Sequence, residues 1–219
     1  MRVYYLTSEE HAISNIQLRR IKVSLIDDLN DPFELLAIHM GDREQRKIWG
    51  EFRKYFTTKA GLVCFSSQWK NPVMWSHYGD KHKGICLGFD VDDKILKKVT
   101  YLKSRMKYQI GSFFSGHKIT PEILNEVVRY KFKEWWYERE YRGIVPLKEK
   151  DISGLYFVDF NKDFMLREVI IGARSALVPK QFSQMLSEYD QQVTVKKARL
   201  AFRSFTVVQN QAIPVYKNA

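Results

Sequence analysis

The irregular spacing of short strand-like runs constrains this chain most. Arg2–Leu6, Gly61–Ser66, Gly84–Val91 and Tyr141–Pro146 are short and apolar. Ile21, Val23 and Leu25 alternate with Lys22 and Ser24, the period-two pattern of a strand with one buried face. Leu155–Phe160 and Arg167–Ile171 read as further strands, and Val193–Ala198 with Ala201–Val208 as a closing hairpin. Helical segments fall between them. Glu9–Asn15 follows a capping Thr7 or Ser8, and Glu44–Lys59 carries Ile48, Trp49, Phe52 and Tyr55 on one stripe. Thr120–Trp136 opens with Thr-Pro-Glu, a good helix entry, and Pro179–Tyr189 reads as a helix. Lys70–Gly79 reads as a loop or short helix. These elements follow no βαβ rhythm. The expectation is an α+β fold, a single domain over residues 1–219 with mixed or antiparallel central sheets and flanking helices.

With 45% apolar residues, a full-sized core is available. No stretch approaches ~18 apolar residues, and the opening MRVYYLTSEEH has no apolar signal core, so no membrane span and a cytoplasmic location are expected. Cys64 and Cys86 lie in the apolar runs LVCFS and GICLGF and read as free thiols of a reducing compartment. The net charge is 36 − 25 = +11, unevenly spread. Residues 94–107 hold Lys94, Lys97, Lys98, Lys103, Arg105 and Lys107 without an acid, and residues 191–219 hold Lys196, Lys197, Arg199, Arg203 and Lys217, again without one. Such stripes can neutralise phosphates of a nucleic acid. They read equally as solvated faces, or as a patch that covers an acidic partner protein.

Three separated motifs concentrate chemistry. In Asn30-Asp31-Pro32-Phe33-Glu34 two carboxylates and an amide sit on a turn stiffened by proline, which is also an ordinary strand-to-helix turn. Around Ser66-Ser67, the stretch Met74-Trp75-Ser76-His77-Tyr78 and then His82-Lys83-Gly84 gathers rings, hydroxyls and two imidazoles. Trp75 or Tyr78 could stack on a planar ligand, and His77 is a candidate acid–base group. His77, His82 and Cys86 fit no standard zinc spacing, so no metal is expected. In Trp135-Trp136-Tyr137-Glu138-Arg139-Glu140-Tyr141-Arg142, a strand starting near Glu138 would place Glu138, Glu140 and Arg142 on one face. One carboxylate could then polarise a substrate hydroxyl, the other activate a nucleophile, and Arg142 hold phosphate. An ion-paired edge strand explains the same alternation.

The blocks YYLTSEEHAISNIQLRRIKVSLIDDLNDPFE, CFSSQWKNPVMWSHYGDKHKGICLGFD, WWYEREYRGIV and REVIIG resemble, in order and spacing, the bacterial domain of unknown function 2971 family. More distantly, the chain is similar to mono-ADP-ribosyltransferases of the DarT and PARP-like kind. YYLT resembles their YHxT opening, FSS their middle strand, and Glu138-Arg139-Glu140 their ExE motif, with Tyr5 where the family has an NAD-gripping histidine.

That resemblance implies an ADP-ribosyltransferase-like fold and NAD as substrate. It implies an enzyme that modifies RNA or DNA, acting as a toxin or phage-defence effector with a possible antitoxin partner. Tyr5 and Thr7 would contact the nicotinamide or its ribose, and Ser66, Tyr78 and Trp75 would line the cleft. Glu140 would stabilise the oxocarbenium ion, while Glu138 or Glu34 takes the acceptor proton, beside the Asn30–Phe33 wall. Two other readings stay open. One is a metal-independent ribonuclease using His77 and His82 with Lys83. The other is a non-catalytic module that binds nucleic acid or a partner.

Overall fold

The computed structural model describes residues 1–107, 126 and 128–218. Its α+β architecture rests on a mixed sheet in the order β12-β11-β10-β4-β1-β3-β8-β5. The strands are β1 (Arg2–Thr7), β3 (Ala60–Ser66), β4 (Ile85–Val91), β5 (Leu96–Lys98), β8 (Glu140–Pro146), β10 (Phe164–Ile171), β11 (Thr194–Leu200) and β12 (Val207–Gln209). A short β13 (Tyr216–Lys217) shares the outer edge of β11 with β12. Within this sheet β10 and β11 are parallel and the other pairs antiparallel. Two small ribbons flank it: β2 (Arg20–Val23) with β9 (Tyr156–Asp159), and β6 (Thr100–Leu102) with β7 (Tyr130–Phe132).

Alternation in β1 sorts the core. Val3 and Tyr5 pack into one apolar cluster with Phe65, Phe89 and Phe164, while Tyr4 and Leu6 pack into another with Trp69 and Trp75. A third cluster lies under α2 (Arg43–Lys59), where Trp49, Phe52 and Phe56 meet Leu35 and Leu62. The apolar stripe therefore runs through Phe56, and the expected Tyr55 faces solvent. Asp42 caps α2 by accepting from the Glu44 N–H at 2.6 Å, and Ser8 caps α1 (Glu9–Gln17) by accepting from the His11 N–H at 3.2 Å.

β1 pairs with β4 from Arg2 to Thr7, but with β3 only through Tyr4 and Ser66. The central sheet therefore parts between β1 and β3, and a cavity opens there. The loop before β4 is tightly wound, with Asp80, Lys81 and His82 all at positive φ. It closes on Gly84, where an added Cβ would lie 2.1 Å from the Thr7 carbonyl oxygen.

Several expectations are corrected. The part of the Thr120–Trp136 helix that is described beyond Val128 is instead β7 and a 3-10 turn at Lys133–Glu138; most of the remainder lies outside the described residues. Pro179–Tyr189 shortens to a 3-10 turn, Pro179–Phe182, and a helix at Ser183–Leu186. The closing hairpin forms, but its return strand starts at Val207, which leaves residues 201–206 as a connecting tip. No described helix is long and apolar enough to cross a membrane.

Gly84→Ala is expected to cost about 1–3 kcal/mol or more, because its neighbours are backbone atoms that cannot swing aside. The shift in urea midpoint measures it.

Candidate functional site

A cavity of about 230 Å³ opens where β1 and β3 part. Tyr4, Tyr5 and Leu6 line it from β1, and Cys64, Phe65 and Ser66 from β3. Met74 and Tyr78 come from α3 (Pro72–His77) and its C-cap, and Asn30 and Glu34 from the proline-stiffened turn. Lys131, Glu138 and Glu140 also line it.

Lys131 occupies the centre of three buried carboxylates, where a cation would be expected. Its Nζ lies 2.6 Å from Glu138, 3.1 Å from Glu140 and 3.3 Å from Glu34. Arg142 closes the cluster from β8. Its Nε donates to Glu140 at 2.9 Å, and its other nitrogens reach Glu34 at 2.7 Å, Glu140 at 3.1 Å and the Val128 carbonyl at 3.0 Å. At the other end Tyr78 donates to Glu138 and accepts from the Asn30 amide at 2.7 Å. The result is one chain of bonds from an exposed amide to a fully buried guanidinium.

The two neighbouring glutamates are driven apart. Burial, and then repulsion from Glu140, push the Glu138 carboxyl up to about 7, against the pull of Lys131 and the Tyr78 hydroxyl. Burial pushes Glu140 up as well, but Arg142 and Lys131 more than offset it and hold Glu140 at about 2. Near neutrality Glu138 can therefore gain or lose a proton while Glu140 stays ionised, the separation that lets paired carboxyls take different roles. Burial also raises the Cys64 thiol and the Tyr78 hydroxyl, so both stay protonated in this range.

Backbone geometry brings the glutamates together. Glu138 ends the 3-10 turn, Arg139 adopts a left-handed conformation (φ 47°), and the strand begins only at Glu140. Simple alternation along one strand, the basis on which Glu138, Glu140 and Arg142 were expected to align, holds for Glu140 and Arg142 only. The kink is pinned by Ser66, whose Oγ donates to the Glu138 carbonyl at 2.6 Å, and by the Ser67 N–H on the Arg139 carbonyl at 3.1 Å.

Tyr5, Asn30, Glu34, Ser66, Tyr78, Glu138 and Glu140 thus share one cavity. Other expected site residues lie elsewhere. Thr7 is buried on β1 and does not line the cavity. Asp31 is buried beneath the turn, where Oδ1 accepts from the Phe33 N–H at 2.9 Å. Phe33 faces outward under the Arg105 guanidinium and lines a second hollow. Trp75 is fully buried, its indole N–H on the Trp69 carbonyl at 2.6 Å, so it packs the core and offers no free ring to a ligand. Arg142 cannot grip an external phosphate while its guanidinium is completely enclosed and held by Glu34 and Glu140.

His77 is exposed beside the rings of Tyr78, Trp135 and Tyr137, whereas His82 stacks on Trp75. These two imidazoles have different surroundings, and neither lines the cavity. Lys131 escaped the sequence reading. Its signal was the alternation Tyr130-Lys131-Phe132, which points a lysine inward on a strand but is lost when the segment is read as a helix.

The profile of the family described as "Protein of unknown function (DUF2971)" matches residues 74–143, which span α3, β4 and the glutamate-bearing turn and strand. This supports the resemblance to that family and lends none to ADP-ribosyltransferases. No curated protein and no solved structure matches the chain.

The Glu138 carboxyl should titrate near pH 7 when its ¹³C resonance is followed by NMR. Tyr78→Phe removes a hydrogen bond that favours the carboxylate and should move that midpoint upward. The two glutamates also tie stability to pH with opposite signs. A raised Glu138 makes the fold less stable as pH climbs from the ordinary carboxyl range through 7, and a depressed Glu140 adds stability that is lost as pH falls toward 2. Arg142→Met leaves Lys131 alone to neutralise the three buried carboxylates and should cost about 3–5 kcal/mol in chemical denaturation.

Proposed function

We propose that the chain is an enzyme that transfers ADP-ribose from NAD to a nucleic acid, with Glu138 as the working carboxyl. The observation that carries this reading is the adjacent pair Glu138 and Glu140 in a cavity walled by Tyr4, Tyr5, Phe65 and Tyr78, where burial and the Glu140 charge raise the Glu138 carboxyl to about 7. The nicotinamide ring of NAD is cationic, and an enclosure of aromatic faces and carboxylates attracts such a ring. The cavity lies below the ~300–1,000 Å³ of typical ligand pockets, so only the nicotinamide riboside end enters and the phosphates stay outside. Glu34 offers that end a buried oxygen, Oε2, with no hydrogen-bond partner among the described residues.

In the reaction the bond between the ribose C1′ and the nicotinamide nitrogen breaks, and its electron pair leaves with nicotinamide. Ionised Glu138 stabilises the positive charge that develops on the ribose. An acceptor oxygen or nitrogen bonds to C1′, and its proton passes to Glu138. The carboxylate is then restored by losing that proton to solvent, with Tyr78 keeping its hydroxyl hydrogen bond to Glu138. Glu140, held by Arg142 and Lys131, keeps its charge throughout and fixes Lys131. The net charge of +11 suits a polyanionic acceptor.

Incubation with NAD labelled on its adenosine, together with RNA, DNA or cell lysate, tests this. Label is expected on the acceptor, at a rate that rises as pH passes 7. Glu138→Gln should slow transfer by about 100-fold or more without lowering the melting temperature. Absence of transfer to every acceptor, or equal transfer by the variant, overturns the assignment.

A further inference from the structure

The tip of the β11–β12 hairpin carries two almost fully exposed phenylalanines, Phe202 at 89% and Phe205 at 97%. Folding leaves most apolar rings at least half covered, and two at one tip are hard to explain as scaffold. Arg203 and Ser204 separate them, and both are exposed. The Arg199 guanidinium lies over one face of Phe202, 4.3 Å from the ring centroid. Between this tip and the body runs a hollow of about 540 Å³, lined on the far side by Pro72 and His82.

Charge around the tip is predominantly positive. Residues 191–217 contain no acid, and Lys81 and Lys83 flank His82 in the facing loop, outnumbering Asp80. Yet the lysines nearest the root of the hairpin are committed. Lys196 pairs with Glu168 at 2.9 Å, and Lys197 donates to the Ser175 and Leu177 carbonyls. Beside the rings, Arg199 donates to the Leu200 carbonyl at 3.0 Å, and neither Arg199 nor Arg203 forms an ion pair with a described acid. Exposed rings interleaved with arginines that carry no carboxylate partner are the chemistry that holds single-stranded nucleic acid: bases stack on the rings and phosphates meet the guanidinium groups.

We infer that the 200–206 hairpin tip and the hollow beneath it bind single-stranded nucleic acid, stacking bases on Phe202 and Phe205 and pairing phosphates with Arg199 and Arg203. A bilayer-inserting loop is less well matched, because Arg203 and Ser204 stand between the rings. The position connects with the cavity through α3, whose Pro72 lines the hollow while Met74 and the C-cap Tyr78 line the cavity. This binding needs no turnover, so it stands whether or not NAD is the substrate.

The test is fluorescence anisotropy of a fluorescein-labelled oligo(U) 20-mer, an oligo(dT) 20-mer and a 20-base-pair duplex, without NAD and at several salt concentrations. Single strands are expected to bind more tightly than duplex. The Phe202→Ala/Phe205→Ala double variant should weaken single-strand binding about tenfold or more, and Phe202→Tyr/Phe205→Tyr should restore it. Arg199→Ala/Arg203→Ala should reduce the salt dependence by one to two phosphate contacts' worth, roughly 1–2 in the log–log slope. Melting temperatures should match the parent, because the tip makes little of the core. Unchanged binding by the phenylalanine variant, equal affinity for duplex, or capture only by phosphatidylserine-containing vesicles overturns the inference. Loss of ADP-ribosyl transfer with binding intact would count against the catalytic assignment alone.

Discussion

The enclosed guanidinium of Arg142 governs the architecture around the site. A completely buried charge is tolerated only when it is neutralised and its donors are satisfied. Arg142 meets that condition by drawing two other segments onto itself, the Asn30–Glu34 turn and the chain at Val128, and by pairing with its own strand neighbour Glu140. The excess carboxylate this gathers is then balanced by Lys131. Glu138 is the group left partly uncompensated, and its raised proton affinity follows from the arrangement. The chemistry of the cavity is thus a residue of the structural problem posed by one buried arginine.

Placement of the cavity follows from backbone economy in the sheet. A ladder that ran fully between β1 and β3 would leave no space for ligand. Reducing it to the Tyr4–Ser66 pair opens the gap while β4 and β8 keep both strands anchored on their outer edges. The left-handed Arg139 then adds one change of direction, which turns Glu138 toward the gap beside Glu140. Rigid strands position the rings, and a single irregular residue positions the acid.

Much of this was legible in the sequence. The period-two run at Ile21–Leu25 marked β2 and short apolar runs marked β1, β3 and β4; Asn30, Glu34, Tyr78, Glu138 and Glu140 of the three motifs meet in one cavity, while Asp31, His77 and His82 do not line it. What local pattern could not show was direction. Trp75 and Tyr78 sit three residues apart in one aromatic stretch, yet one is core and the other faces the cavity, a difference set by how α3 docks. Glu138 was selected through an alternation that breaks at Arg139, and it reaches the cavity through that left-handed residue instead. Lys131 was hidden because a three-residue strand is too short to declare its period against a helix-like surrounding. Pairing across more than a hundred residues, as between Glu34 and Arg142, has no local trace at all.

That last separation bears on folding. Glu34 and Arg142 lie 108 positions apart in the chain, so the loop they close is among the more costly to form. Pairing of β3 with β8 sets Cys64 opposite Arg142, which shortens that loop to the stretch between Glu34 and Cys64. The ion cluster therefore depends on the β3–β8 ladder and is lost when that ladder loosens. Chains that have collapsed without finishing would hold their apolar clusters but lack a neutralised centre, and Glu138 would show the ordinary acidity of an exposed side chain.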